Sequence, residues 1–317
     1  MSERILVTGA TGFVGGPLIT RLAAEPGFEI WGAARAKRGD SPFAFIAVGE
    51  IDGDTDWSEA LQGQRVVVHA AARAHIMDDS AADPLTEFRR VNVGGTLNLA
   101  RQAAEAGIRR FVFISSIKVN GEQTARGKGF TPEDTPAPGD AYGLSKLEAE
   151  QGLQQIAQET GMEVVIIRPP LVYGPGVKGN FAIMARLVAK GLPLPLGAIH
   201  NKRSLVALDN LVDLIITCID HPSAPNQVFL AGDGEDLSTS ELLRRVGIAM
   251  GKPARLLPVP AALLQFGATV LGKKAMAQRL LGSLQVDISK TRRMLDWEPP
   301  VSVDEGLRRC FKKNQGG

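Results

Sequence analysis

The sequence predicts an α/β protein: a doubly wound parallel sheet followed by a smaller, mainly helical C-terminal lobe. Short β-branched runs alternate with longer helical patterns through the first half of the chain. A glycine cluster, Gly9-Ala10-Thr11-Gly12-Phe13-Val14-Gly15, lies between the first such run and the first helix. After Pro169 the alternation gives way to frequent Pro and Gly, which marks the start of a second lobe. Alternation of this kind means parallel strands joined by crossover helices, with both sheet faces buried.

In chain order, Ile5-Leu6-Val7 is a strand followed by a helix to about Ala24, and Glu29 to Ala34 is a second strand. Ala44 to Val48 and Arg65 to His69 follow as strands, the first leading into a short helix and the second into a long helical stretch from Pro84 to Ala106. "RRFVFISS" is a strand, Tyr142 to Thr160 a helix and "EVVIIRP" another strand. The expected division is 1–170 for the sheet domain, with 204–220 returning to it, and 171–317 for the second lobe.

Composition sets outer limits. The 317 residues are 44% hydrophobic and 22% charged, with 36 basic against 34 acidic side chains. A net charge of +2 gives no reason to expect nucleic acid or an anionic membrane as partner. Two distant cysteines, Cys218 and Cys310, fit a reducing compartment, and no His, Cys or carboxylate group has metal-ligand spacing. "MSERILVTGA" lacks the apolar core of a leader, and the most apolar runs fall short of the roughly 20 residues that span a bilayer. A cytoplasmic protein without membrane insertion is expected.

The glycine cluster carries the first chemistry. Glycines at a strand-to-helix turn let backbone approach a pyrophosphate, and the helix start offers unpaired N–H groups and a positive dipole end. The spacing is GxxGxxG, but its position inside a βαβ alternation marks a dinucleotide-binding Rossmann turn at Gly9, Thr11, Gly12, Phe13, Val14 and Gly15. The second motif is "AYGLSK", in which Tyr142 and Lys146 lie four apart and so share one helical face. A lysine beside the phenol is expected to pull its pKa down from about 10, so that Tyr142 exchanges a proton with a hydroxyl or carbonyl. Ser115-Ser116 ends the preceding strand, at the edge where such sheets gather ligands.

Together these pieces resemble the extended short-chain dehydrogenase/reductases of the NAD(P)-dependent sugar-nucleotide epimerase/dehydratase family. The resemblance runs in order through TGATGFVG (8–15), HAAA (69–72), NVGGTLNL (92–99), FISSIKVNG (113–121), YGLSK (142–146) and RPPLVYGPG (168–176). It continues through GNF (179–181), KRSLVALDNLVD (202–213) and LQVDISKTRRMLDWEP (284–299). It implies Ser116, Tyr142 and Lys146 as the catalytic group, with Lys146 also holding the nicotinamide ribose. It places Glu50 and Ile51 beside the adenine, Ala70 and Ala71 along the cofactor groove, Pro169 among the cofactor-binding residues, and Asn92 where it steadies the central helix. His69 is expected to pack rather than catalyse. For the substrate it implies Lys118 and Asn120 at a sugar pocket, with Asn180, Arg203 and Arg279 at a diphosphate. An Arg fork suits those diphosphate oxygens. The C-terminal lobe would then bind substrate, and helices 84–106 and 141–160 would pair in a homodimer.

Within the family, Arg35 tips the expectation. It lies 20 residues beyond Gly15, about where the ribose selector is found, and Asp40 comes five residues too late. An Arg there favours NADP(H) over NAD(H). With the resemblance of "SSIKVNGE" and "NKRSLVALDNLVDLI" to sugar 4-reductases, this points to a 4-ketoreductase acting on a UDP-4-keto-6-deoxy-N-acetylhexosamine for surface polysaccharide. The alternative is a UDP-hexose 4-epimerase, acting on UDP-glucose or UDP-N-acetylglucosamine with tightly bound NAD. A dinucleotide-sensing regulator would need no acid/base group, and Ser116, Tyr142 and Lys146 argue against it.

Overall fold

The structure is a computed structural model that describes residues 2–36, 43–73, 83–125, 127–272 and 274–312. Lys37, Arg38, Asp40 and His75 lie outside them. Ten strands occur in the described chain: β1 (Glu3–Thr8), β2 (Phe28–Ala34), β3 (Ala44–Ala47), β4 (Val66–His69), β5 (Arg110–Ile114), β6 (Glu163–Arg168), β7 (Leu171–Tyr173), β8 (Arg203–Ala207), β9 (Gln227–Leu230) and β10 (Asp236–Leu237). Seven form one sheet in the order β3-β2-β1-β4-β5-β6-β9, and every pairing in it is parallel.

The near-continuous apolar runs follow from this arrangement. Ile5 and Val7, with Val66, Val68, Val112 and Ile114, face one layer containing Leu18, Leu22, Leu211 and Ile215. The residues between them, Leu6, Val67, Phe111 and Phe113, face the other layer with Leu99, Ala103, Leu153 and Ile156. Successive side chains point to opposite faces, so a strand covered on both sides has no polar position to spare. Each such side chain contributes about 1.5–3 kcal/mol on burial.

The helix Leu208–Asp220 packs against the first layer. Arg110 holds it there: Nη1 donates to the carbonyls of Cys218 and Ile219 at 2.9 and 2.8 Å, at the end where helix carbonyls lack partners. Segment 208–220 therefore packs on the sheet. The strand β9, which lies within the 171–317 range expected for the second lobe, joins the large sheet beside β6. The strand β8 belongs instead to a three-stranded sheet with β7 and β10. That sheet shares a separate core with helices Gly179–Ala189, Thr239–Ala249 and Val303–Phe311.

The long helix after β4 runs Pro84–Phe88, Arg89–Gly95 and Thr96–Glu105, and its middle section is π-helical. A π segment shifts side chains out of the regular 3.6-residue phase, a device common at functional sites. Asn92 sits in it. No described helix is long and apolar enough to cross a membrane, and no group of His, Cys, Asp or Glu among the described residues could hold a metal ion.

Candidate active site

The sheet order reverses between β1 and β4, so the crevice at their C-terminal ends is where a doubly wound sheet takes its ligand. The glycine turn leaves β1 there. Gly9 has φ +64°, and a Cβ on it would lie 2.7 Å from the Ala71 nitrogen. A Cβ on Gly15 would lie 2.2 Å from the Gly9 carbonyl. The turn is thus closed onto itself and onto Ala70-Ala71 by backbone contact that no side chain would permit. The helix Gly15–Leu22 then starts at Val14 without a side-chain cap. Thr11 and Gly12 are exposed in front of that uncapped, positive end, while Phe13 and Val14 pack toward the core. This cradle fits a dinucleotide pyrophosphate.

The floor beside the turn is polar but saturated. Thr8 Oγ1 and His69 Nδ1 lie 2.7 Å apart, His69 Nε2 is 3.0 Å from Thr96 Oγ1, and the Ala71 N–H donates to Thr8 Oγ1 at 3.3 Å. His69 stacks on Phe113 and is fully enclosed, so burial, with the Lys146 charge, holds its pKa down at about 3. The neutral imidazole is a packing element bonded on both nitrogens. Farther out, Arg35 follows β2 and comes within 3.5 Å of the Glu50 carboxylate, with both side chains largely exposed. Ile51 packs on Gly95 of the π segment.

The candidate acid/base residues gather at the ends of β5 and β6. Ser116 caps the short 3₁₀ helix Ile117–Val119, and the Pro169 carbonyl accepts from the Ile117 N–H at 3.0 Å. The helix Ala141–Thr160, capped by Asp140, presents Tyr142, Lys146 and Glu150 on one face. The Ser116 side chain lies beside the Tyr142 phenol, and Phe88 meets the Tyr142 ring edge-on with centroids 5.9 Å apart. Lys146 Nζ donates to the Ile114 carbonyl at 2.9 Å and lies 4.4 Å from the Phe113 ring centre. Asn92 accepts from the Arg73 N–H at 2.8 Å and donates to Ser145 Oγ at 3.0 Å, tying the π segment to the catalytic helix.

The electrostatics differ from expectation. Lys146 does not draw the phenol down. Burial and the Asp140 carboxylate push Tyr142 up to about 12, and only the Ser116 side chain works the other way. Lys146 is itself depressed to about 7 by burial, against the pull of Glu150. Two buried groups that both resist charging make a site in which a proton is held on the phenol and charge appears only when a partner compensates it. The chain has two tyrosines, and burial, together with Asp233 bonded to the Tyr173 hydroxyl at 2.7 Å, raises the second one as well. Native protein at about pH 10 should therefore show almost no tyrosinate absorbance, where an unfolded chain shows about half. Half-ionisation in the native state would contradict this geometry.

Behind the surface group lies a network the sequence reading missed. Glu150 pairs with Arg168 through both carboxylate oxygens, at 3.0 Å from Nε and 2.5 Å from Nη2, and both side chains are almost entirely buried. Ser115 Oγ donates to the same carboxylate. Arg168 Nη1 donates to Asn120 Oδ1 at 2.9 Å, and Asn120 Nδ2 donates to the Thr131 carbonyl at 2.8 Å. Asn120 is thus bonded at both ends inside the protein. The signal was present in the spacing, since Glu150 continues the four-residue step from Tyr142 through Lys146.

The substrate-side candidates are only partly gathered. Lys118 is paired with Asp140 and, at 3.1 Å, with Glu122. Arg203 starts β8, and its Nη1 donates to the Arg279 carbonyl at 2.8 Å and the Gly282 carbonyl at 3.3 Å. Burial lowers Arg203 from its usual pKa, opposed by the Glu122 charge. Arg203 and Arg279 therefore meet, although through backbone, and the Arg279 side chain is exposed. Asn180 is exposed in the first turn of Gly179–Ala189 and is not brought to the other candidates by any described hydrogen bond.

Known proteins match this arrangement closely. Residues 5–232 match the model of the NAD dependent epimerase/dehydratase family. A UDP-glucose 4-epimerase of Vibrio cholerae is 52% identical over 309 residues, covering 97% of this chain and 94% of that protein. The solved structure of a Thermus thermophilus UDP-glucose 4-epimerase in complex with NAD is 26% identical, with a TM-score of 0.78 and 98% of each chain covered. A Bacillus cereus UDP-N-acetylglucosamine 4-epimerase shares the fold, with a TM-score of 0.80 at 21% identity over 98% of each chain. By sequence and by fold, this chain belongs to the NAD dependent epimerase/dehydratase family and is an enzyme of the extended short-chain dehydrogenase/reductase type.

Proposed function

We propose that the protein is a UDP-hexose 4-epimerase that keeps NAD bound through its catalytic cycle. The observation that carries this reading is the 52% identity, over nearly the whole chain, to a protein named UDP-glucose 4-epimerase. It takes the place of the 4-ketoreductase favoured on sequence. The case for reduction rested on Arg35 as a partner for a 2′-phosphate, and Glu50 already sets a carboxylate 3.5 Å from that guanidinium. A phosphate placed there would meet the Glu50 anion, so the pair favours NAD(H) over NADP(H).

The residues at the crevice support a redox-neutral exchange at one sugar carbon. The glycine turn and Ala70-Ala71 would hold the dinucleotide, with Asn92 steadying the helix that carries Tyr142 and Lys146. Bound NAD supplies a reversible hydride acceptor. To act as base Tyr142 must first lose its own proton to solvent; the phenolate would then take the C4 hydroxyl proton as the hydride leaves and return it after the sugar has turned, while Ser116 would hold the same oxygen. Lys146, lowered to about 7 by burial, would be the counter-charge to that phenolate in its protonated form. Arg203 and Arg279, with Asn180 on the neighbouring helix, are the groups proposed to hold the diphosphate.

The test is to incubate the protein with UDP-glucose, UDP-N-acetylglucosamine and a UDP-4-keto-6-deoxy-N-acetylhexosamine, each with NADH, with NADPH or with no addition. The expected result is the C4 epimer of at least one of the first two without added cofactor, and NAD rather than NADP released on denaturation. Consumption of reduced cofactor with the keto sugar alone would overturn the epimerase and restore the ketoreductase.

A further inference from the structure

We propose that the helix Ala261–Val270, with its flanking basic residues, is a docking surface for an anionic lipid bilayer. The inference goes beyond the assigned reaction and holds whatever sugar the site accepts. Leu263, Phe266, Val270 and Leu271 are 62%, 70%, 70% and 72% exposed. Their spacing of three, seven and eight residues from Leu263 sets them in one stripe along the helix. No residue of this helix is buried, so the face turned to solvent is apolar and the helix contributes nothing to the core. Leu257, on the proline-bounded segment that leads into it, is half exposed as well. Apolar faces of this kind are uncommon on the free surface of a soluble enzyme.

The charge around the stripe identifies what covers it. Residues 242–286 contain seven basic side chains and no Asp or Glu, leaving 29 basic against 34 acidic residues in the rest of the chain. The near-neutral total therefore conceals a strongly cationic segment on a slightly anionic protein. Lys252 and Arg255, before the helix, are exposed, and Lys273-Lys274 follow it directly in sequence. Of the seven, Arg245 is neutralised by Glu235 and Asp304. A helix with an apolar stripe including an aromatic ring, set among lysines and arginines, is the chemistry of an interfacial membrane element. A second copy of the chain is a poorer fit. A twofold contact would bring this same net-positive segment against itself.

The experiment is vesicle flotation of the full-length enzyme with mixed phosphatidylglycerol–phosphatidylcholine vesicles and with phosphatidylcholine alone. Binding to the anionic vesicles should exceed binding to the neutral ones at least tenfold and weaken as salt is raised. The double substitution Leu263→Ser/Phe266→Ser, and separately Lys252→Glu/Arg255→Glu, should each lower the bound fraction at least tenfold while turnover of soluble substrate is unchanged. In the Phe266→Trp variant, the tryptophan emission should shift to the blue on adding anionic vesicles and not on adding neutral ones. Absence of binding to anionic vesicles, or binding that the two double variants leave intact, would overturn the proposal. So would a dimer that forms through this face and is lost in Leu263→Ser/Phe266→Ser.

Discussion

Replacing Tyr142 by Phe is expected to lower kcat by about 10²–10⁴-fold while the protein stays folded and retains its cofactor. The change removes one oxygen. The ring keeps its edge-on contact with Phe88 at 5.9 Å, and Lys146 keeps the Ile114 carbonyl at 2.9 Å, so the helix face persists. What disappears is the phenol placed where Ser116 and the end of β5 converge, and with it the proton that must leave and return to the sugar oxygen. Turnover assayed beside a thermal melt and a measurement of bound dinucleotide separates this from misfolding. Activity within tenfold of the parent would remove Tyr142 from the acid/base role, whatever the substrate proves to be.

Glu150→Gln should produce the largest stability loss of any single change near the site, about 3–5 kcal/mol, because it leaves the Arg168 guanidinium buried without its counter-charge. For a chain of this size that corresponds to roughly 5–15 °C in Tm. The double replacement Glu150→Met/Arg168→Met should recover much of the loss. Removing both charges leaves no orphan ion, although Asn120 and Ser115 lose a partner. Thermal melts of the singles and the double close a mutant cycle. Additive losses would mean that the pair is not coupled. A further consequence is kinetic: Ser115 precedes Ser116 and is anchored by Glu150, so Glu150→Gln should also reduce kcat with little change in KM.

How far the site was legible depended on which contacts were local. Gly9 to Gly15 and the four-residue step from Tyr142 to Lys146 could be read directly, since a turn between strand and helix and a shared helical face follow from backbone geometry alone. The alternation of strands and helices was equally plain, because a sheet covered on both sides admits only apolar runs, as Val66-Val67-Val68 illustrates. The direction in which Tyr142 titrates could not be read. Spacing places Lys146 beside it, but burial and the cap residue Asp140 decide its ionisation, and both belong to the folded surroundings. The partners of Lys118 and Asn120 could not be read for a related reason. They follow a strand end, where side-chain direction is set by packing, and the structure turns one toward Asp140 and the other toward Arg168.

Arg35 shows the same limit in a single residue. Its position at the end of β2 was visible in the chain, but its neighbour Glu50, 15 residues on, is brought up only by the pairing of β2 with β3. By itself the sequence determined the family, the fold class, the glycine turn and the candidate acid/base residues, all of which rest on short-range periodicity and turn chemistry. Only the tertiary structure decided which charges are already paired, that Glu150 and Arg168 lock the site from behind, and that the stripe from Leu263 to Leu271 faces outward. Each of these depends on which distant segments meet, and a chain read in one dimension carries no distance between them.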